Sequence, residues 1–147
     1  MERGVPPDAV LRGILLEYVY ALRSVTWEKL QQSQNSLEDL RRAVNVHPTS
    51  VLTRPQLVET LMARELREEA AAVGLAHLEQ APLDVVIRVR LLENDLRRGE
   101  VDRARGHLAA ALRIASVFCD QELVERLRLL QRRLFEGTSG SAAAQPA

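Results

Sequence analysis

Apolar residues return every three or four positions along most of the chain. Leu11, Leu15, Tyr18, Leu22 and Val25 follow one another at intervals of four and three, and Leu123, Leu127, Leu130 and Leu134 repeat that spacing towards the other end. A helix turns once in about 3.6 residues, so each set falls on one helical face. Val85, Val86, Ile87 and Val89 are β-branched, as strands prefer. The run nevertheless continues through Leu92 and Leu96 at helical spacing, with Arg88, Arg90, Glu93 and Asp95 between, and helix is predicted there as well. No segment keeps the alternation of a strand, and the predicted fold class is all-α.

Breaks divide the helical material. Pro48 in His47-Pro48-Thr49-Ser50 cannot continue a helical hydrogen-bond ladder and disfavours helix just before it. Thr53-Arg54-Pro55-Gln56 reads as a restart, with a capping threonine, a proline in the first turn and a glutamine closing a capping box. Pro82 with Asp84 marks another restart, Arg97-Arg98-Gly99 a helix end, and Asp120 a cap for a last helix reaching about Phe135. Residues 1–136 are expected to form one helical domain. From Gly137 the sequence GTSGSAAAQPA has no apolar period and is expected to be a disordered tail.

The breaks recur. Pro48, Pro82 and Ser116 end three segments at one constant interval, and Ala43, His77 and Ala111, then Ser36, Ala70 and Ala104, keep the same interval, as do Leu57 and Leu91. That interval, about 34 residues, resembles the period of the tetratricopeptide repeat, a helix-turn-helix unit that stacks on copies of itself. The clearest copy is Val85 to Phe118, with its Gly99-Glu100 turn followed by Ala104, Leu108, Ala111 and Leu112 on one face. This copy is also similar to the helical repeats of large bacterial signalling regulators of the maltose-activator type. The first copy keeps Trp27, Leu40, Ala43 and Pro48, with Ser36-x-x-Asp39 as a helix start, but carries Arg23 where an apolar residue is expected. In the middle copy Glu65 to Glu68 offers no turn and Gly74 falls inside the second helix, so one helix from Thr53 to Val73 is expected. The resemblance implies an antiparallel helix-hairpin solenoid of about three repeats with a C-terminal capping helix. An irregular helical bundle is the alternative.

Composition narrows function by exclusion. Twenty Lys and Arg balance twenty Asp and Glu, giving a formal net charge of zero across 147 residues, so nothing draws the chain to nucleic acid or an anionic membrane. Cys119 is the only cysteine and forms no internal disulfide; with no long apolar segment, a cytoplasmic protein is expected. Chemistry is sparse. Cys119 follows Phe118 in an apolar stretch and reads as a buried thiol. His47, His77 and His107 are evenly spaced, but at an interval that would point them in different directions, so capping, surface or core roles are expected and no metal site. No phosphate-binding glycine loop is present, no cofactor is expected, and the chain is not predicted to be an enzyme. The charged runs Glu65–Glu69 and Arg126–Arg133 read as solvated helix faces. Glu69–Ala76 faintly resembles the turn of a DNA-binding helix-turn-helix, but Pro82 interrupts where a recognition helix would follow.

If the repeat register holds, the resemblance implies a concave groove lined by Tyr18, Ala21, Val25 and Lys29, then Leu52, Glu59 and Met62, then Val86, Val89, Glu93 and Leu96. This set does not match the family's cationic clamp for a peptide C-terminus. Its apolar character suits an apolar or amphipathic segment of another protein, as an adaptor or a secretion chaperone would hold. Part of the set, notably Val25, Val86 and Leu96, is equally consistent with core. The second reading is a homodimeric structural or regulatory domain, in which the segment from Asp8 to about Gln32 pairs with its copy through Leu11, Leu15, Tyr18, Leu22 and Val25.

Overall fold

The computed structural model describes residues 6–136. Among them the chain is all-helical, without a strand: α1 Pro7–Lys29, α2 Ser33–Val46, α3 Arg54–Ala63, α4 Arg67–Gln80, α5 Val85–Arg98, α6 Val101–Val117 and α7 Gln121–Gln131, which runs into a π turn at Arg132–Glu136. The tail expected over 137–147 lies outside the described residues.

The chain divides after Pro82 into two compact units. In the first, α1 packs on α2, α2 on α3 and α3 on α4. Its core gathers Leu37, Leu40, Leu57, Leu61 and Ala70, with Val44, Met62 and Val73 against it. In the second, α5 packs on α6 and α6 on α7. There Leu92, Ala104, Leu108, Ala111, Ala115, Val124 and Leu127 form the core, and Val89, Leu96, Leu123, Leu130 and Leu134 close around it. The leucine stripe near the C-terminal end therefore faces inward.

Three helix ends share one geometry. Gln31, Glu65 and Gly99, each one repeat interval from the next, have φ of 58°, 60° and 78°. At each, the residue's N–H reaches the carbonyl three positions back and the following N–H reaches five back: Gln32 to Trp27 at 2.9 Å, Leu66 to Leu61 at 2.9 Å, Glu100 to Asp95 at 2.8 Å. These are Schellman closures, which satisfy the last carbonyls of a helix through one left-handed residue. α2, α4 and α6 then begin at Ser33, Arg67 and Val101, again at that interval. The continuous helix expected from Thr53 to Val73 is thus corrected: Glu65 takes the left-handed conformation without being glycine, and α3 stops at Ala63. Gly74 is buried within α4, which is unbroken through the stretch that resembled a DNA-binding turn.

A fourth closure sits at Cys119, φ 57°, where Asp120 N–H bonds the Ala115 carbonyl at 3.1 Å. The cap position holds Cys119 outside the core, so the expected buried thiol is exposed. A left-handed β-carbon costs about 1 kcal/mol. Glu65→Gly, which removes it, should therefore raise the thermal midpoint by about 4–8 °C; calorimetry that finds no rise would argue against this turn.

The caps follow the sequence in part. Asp84 and Asp120 accept from the amides of Ile87 and Leu123 at 3.1 and 3.0 Å. Thr53 makes no side-chain cap; its hydroxyl is drawn instead to Glu17 at 2.6 Å. Ser36 and Asp39 do not start a helix but lie buried within α2. The small-residue positions Ser36, Ala70 and Ala104 are all sealed from solvent, and so are Ala43, His77 and Ala111. Arg23, the departure from the apolar pattern, is accounted for by a paired contact to Asp39 at 2.6 and 2.7 Å.

Candidate functional site

The segment Ile14-Leu-Leu-Glu-Tyr-Val-Tyr-Ala-Leu22 holds one charge, Glu17, among apolar residues. An ordinary amphipathic helix would bury the leucines and expose the glutamate. α1 does the reverse. Gly13, Glu17 and Ser24 are its buried residues, while Val10, Leu11, Ile14, Leu15, Tyr18, Val19, Leu22 and Val25 are all exposed, Leu11 and Leu15 at 57% and Tyr18 at 64%.

The inward face explains the inversion. A β-carbon at Gly13 would lie 2.8 Å from the Val46 carbonyl oxygen, so the helix approaches the end of α2 too closely for any larger residue. One end of the contact is tied by Ser24 Oγ to Ser36 Oγ at 3.0 Å, and by the indole N–H of Trp27 donating to Asp39 at 3.0 Å. At the other end Glu17 reaches the segment joining α2 to α3. Its Oε1 accepts from Ser50 and Thr53 hydroxyls and its Oε2 meets His47 Nδ1, all at 2.6 Å. Arg54, itself buried, donates to the Ser50 carbonyl at 2.9 Å and to the Pro48 carbonyl, which fixes the same segment from within. Burial alone would raise the Glu17 pKa, but the bonds from Ser50, Thr53 and His47 outweigh it and hold the carboxyl below its ordinary value. With both oxygens engaged, Glu17 acts as a strut.

Above that strut opens a cleft of about 380 Å³ with Ile14, Leu15, Tyr18 and Ala21 on one wall and Leu52 and Gln56 on the other. Leu52 is 79% exposed at its rim. On the opposite side of Leu15 a shallower depression of about 410 Å³ is bounded by Leu11, Leu16 and Val19, with Asp8 and Arg12 at its edge. Leu15 is therefore a ridge between two apolar furrows.

The residues expected to form a groove separate on this frame. Tyr18 and Leu52 meet in the cleft; Val25 and Lys29 continue outward along α1, and Glu59 is exposed on α3. Met62 packs against the core of the first unit. In the second unit Val86 is open at 66%, Glu93 pairs with Arg90 at 3.1 Å, and Val89 and Leu96 pack against the core. Sequence reasoning passes over Val10, Ile14 and Val19 as parts of the outward face, and the Glu17 network altogether. The available signal is the single carboxylate in an apolar run, with a histidine and two hydroxyls clustered farther along at His47, Ser50 and Thr53.

The histidines take separate places. His47 bonds Glu17, His77 is buried in α4, and half-buried His107 stands 3.6 Å from Asp95. Burial pushes the His107 pKa below its ordinary 6.5, with Arg88 adding to the shift and Asp95 opposing it. Among the described residues no group of three or more His, Cys, Asp or Glu is arranged to hold a metal ion, and no helix is long and apolar enough to cross a membrane. Of the charged runs, the arginines from Arg126 to Arg133 lie exposed, whereas in the first run Glu69 makes a two-pronged pair with Arg41 at 2.6 and 2.7 Å, joining α4 to α2. Comparison with protein-family models returns no match, and none of the curated proteins matches the sequence.

Proposed function

We propose that the chain is a non-catalytic, cytoplasmic protein–protein interaction module built of tetratricopeptide-like hairpins, and that it receives an amphipathic helix of a partner on the outward face of α1. The observation that carries this reading is the inverted helix: eight large apolar side chains turned to solvent over a 23-residue helix, flanked by two furrows. Isolated apolar residues on a surface need no explanation, but a continuous stripe of this length marks a place that another surface covers. A helix laid along the stripe would seat its own side chains in the furrows on either side of Leu15, the helix-in-groove mode of recognition. The hairpin-array reading draws support from the three left-handed closures at the repeat interval and from the buried small-residue positions that keep the same spacing. The balanced charge of the chain favours a protein over a polyanion as the partner.

Photo-crosslinking tests the reading. With p-benzoylphenylalanine in place of Tyr18, irradiated cells should yield one or a few discrete protein adducts, and adding Leu15→Glu should remove them. The same label at Arg126, on an exposed stretch of α7, should give none. A Tyr18 pattern indistinguishable from the Arg126 pattern would overturn the proposal.

A further inference from the structure

We infer that the helix received by this face is α1 of a second copy of the chain, laid antiparallel across a two-fold axis. The inference rests on the reading of α1 as a docking surface and names its occupant. α1 is itself an amphipathic helix with an uncovered apolar stripe, so the receptor and the ligand demanded by the proposed function are present on the same molecule. A two-fold interface needs such a self-complementary patch. The size also fits. About half of each of eight large side chains is open, roughly 700 Å² per copy, close to the ~800 Å² that each partner gives to a stable interface of standard size.

Spacing and charge select the orientation. Leu11, Leu15, Tyr18, Leu22 and Val25 follow the four-three alternation that keeps a seam facing a partner helix. Asp8 lies in the first turn and Lys29 in the last. A parallel pair would stack Asp8 on Asp8 and Lys29 on Lys29, whereas an antiparallel pair brings opposite signs together at both ends. The register that sets Leu15 opposite Val25 and Tyr18 opposite Leu22 pairs four of the five seam residues with one another, sets Leu11 against the stem of Lys29, and carries Lys29 of one copy to within a turn of Asp8 in the other.

The test is the mass of the full chain by light scattering and sedimentation from about 0.1 to 100 µM, a span that reaches past the micromolar weak end of the affinities of interfaces of this size. Wild type should reach twice its 16.5 kDa chain mass, and Leu15→Glu with Leu22→Glu should weaken association at least a hundredfold while leaving helicity intact. Disulfide capture then reads orientation. In a Cys119→Ser background, mixing Leu15→Cys protein with Val25→Cys protein should give crosslinked dimers of mixed composition, and neither protein alone should crosslink. Crosslinking of each variant with itself would mean a parallel pair, and a wild-type monomer at the top of that concentration range or a dimer untouched by the two glutamates would overturn the inference. If the double glutamate variant unfolds, the cysteine pattern decides alone. A monomer whose Tyr18 label still captures a different protein would remove the second copy as occupant and leave the proposed function standing.

Discussion

Replacing Asp39 with alanine is expected to destabilise the first unit by about 3 kcal/mol and to release α1 from α2. Asp39 is 1% exposed. Its Oδ2 accepts from Arg23 Nε at 2.6 Å and from the Trp27 indole at 3.0 Å, while its Oδ1 accepts from Arg23 Nη2 at 2.7 Å and Arg42 at 3.3 Å. The hydrogen bond from Arg23 is the main reason its pKa is held below the ordinary 3.8; burial pulls the other way. Breaking a buried pair by deleting one member costs about 3–5 kcal/mol, because the remaining donors lose their acceptor. The lower end applies here, since the Arg23 side chain is 46% exposed and water takes up part of its loss. Trp27 is the sole tryptophan and lies inside the network, so urea unfolding followed by its fluorescence reports on this unit directly. The repeat register puts leucine at 57 and 91 where Arg23 stands. Arg23→Leu combined with Asp39→Asn keeps an acceptor for the indole and should recover more than half of the loss. A loss below about 1 kcal/mol for the alanine variant would mean that the network contributes no more than an exposed pair.

The same contact marks the boundary of what sequence can tell. Periodicity identifies residues that share a face, and for α7 that face is also the buried one, with Val124 and Leu127 in the core. For α1 the periodicity is as regular, yet the shared face is the open one. The decision lies with Gly13 and Ser24, which permit close approach, and with Glu17, Arg23 and Trp27, which find partners far along the chain. Those partners, Asp39, His47, Ser50 and Thr53, are ordinary polar residues until the fold assembles them. The turn at Glu65 is hidden for a related reason: glutamate carries no mark of the left-handed conformation it adopts, although its distance of one repeat from Gly99 does carry one. Cys119 is misread through its apolar neighbours, because a cap position overrides local hydrophobicity. Tyr18 and Leu52, one interval of the sequence pattern apart, both line the cleft, whereas the strut beneath them leaves no mark in that pattern.

Glu17→Gln should destabilise the first unit by about 3 kcal/mol at neutral pH and remove part of its sensitivity to acid. Hydrogen bonds to an ionised group contribute about 1.5–3 kcal/mol each, against about 1 kcal/mol between neutral groups. Glutamine keeps one acceptor oxygen for the Ser50 and Thr53 hydroxyls and turns its N–H₂ towards His47 Nδ1, which must then take its accepting tautomer, and all three bonds lose the charge of the carboxylate. The carboxyl is held below its ordinary 4.5, and Asp39 and Glu69 are lowered by Arg23 and Arg41 in the same unit. For a group lowered on folding, the unfolded chain binds protons first; its stabilisation is complete above the unfolded value and drains away as pH falls through the folded one. Trp27 fluorescence should therefore report a first unit that holds through mild acid and yields only below about pH 4.5, with a shallower acid slope in Glu17→Gln. His107 acts higher on the scale. Its folded pKa lies below 6.5 because burial disfavours the charged ring, so the second unit loses stability as pH drops from about 6.5 towards that folded value, before the carboxylates of the first unit respond. Amide exchange resolved by unit at pH 7 and pH 5.5 should show the second unit opening more at pH 5.5 and the first unchanged; the reverse order would place the weak point in the Glu17 strut. On that arrangement mild acid leaves the α1 face standing on its support, and only stronger acid undermines the cleft by protonating the one carboxylate that holds Ser50, Thr53 and His47 beneath it.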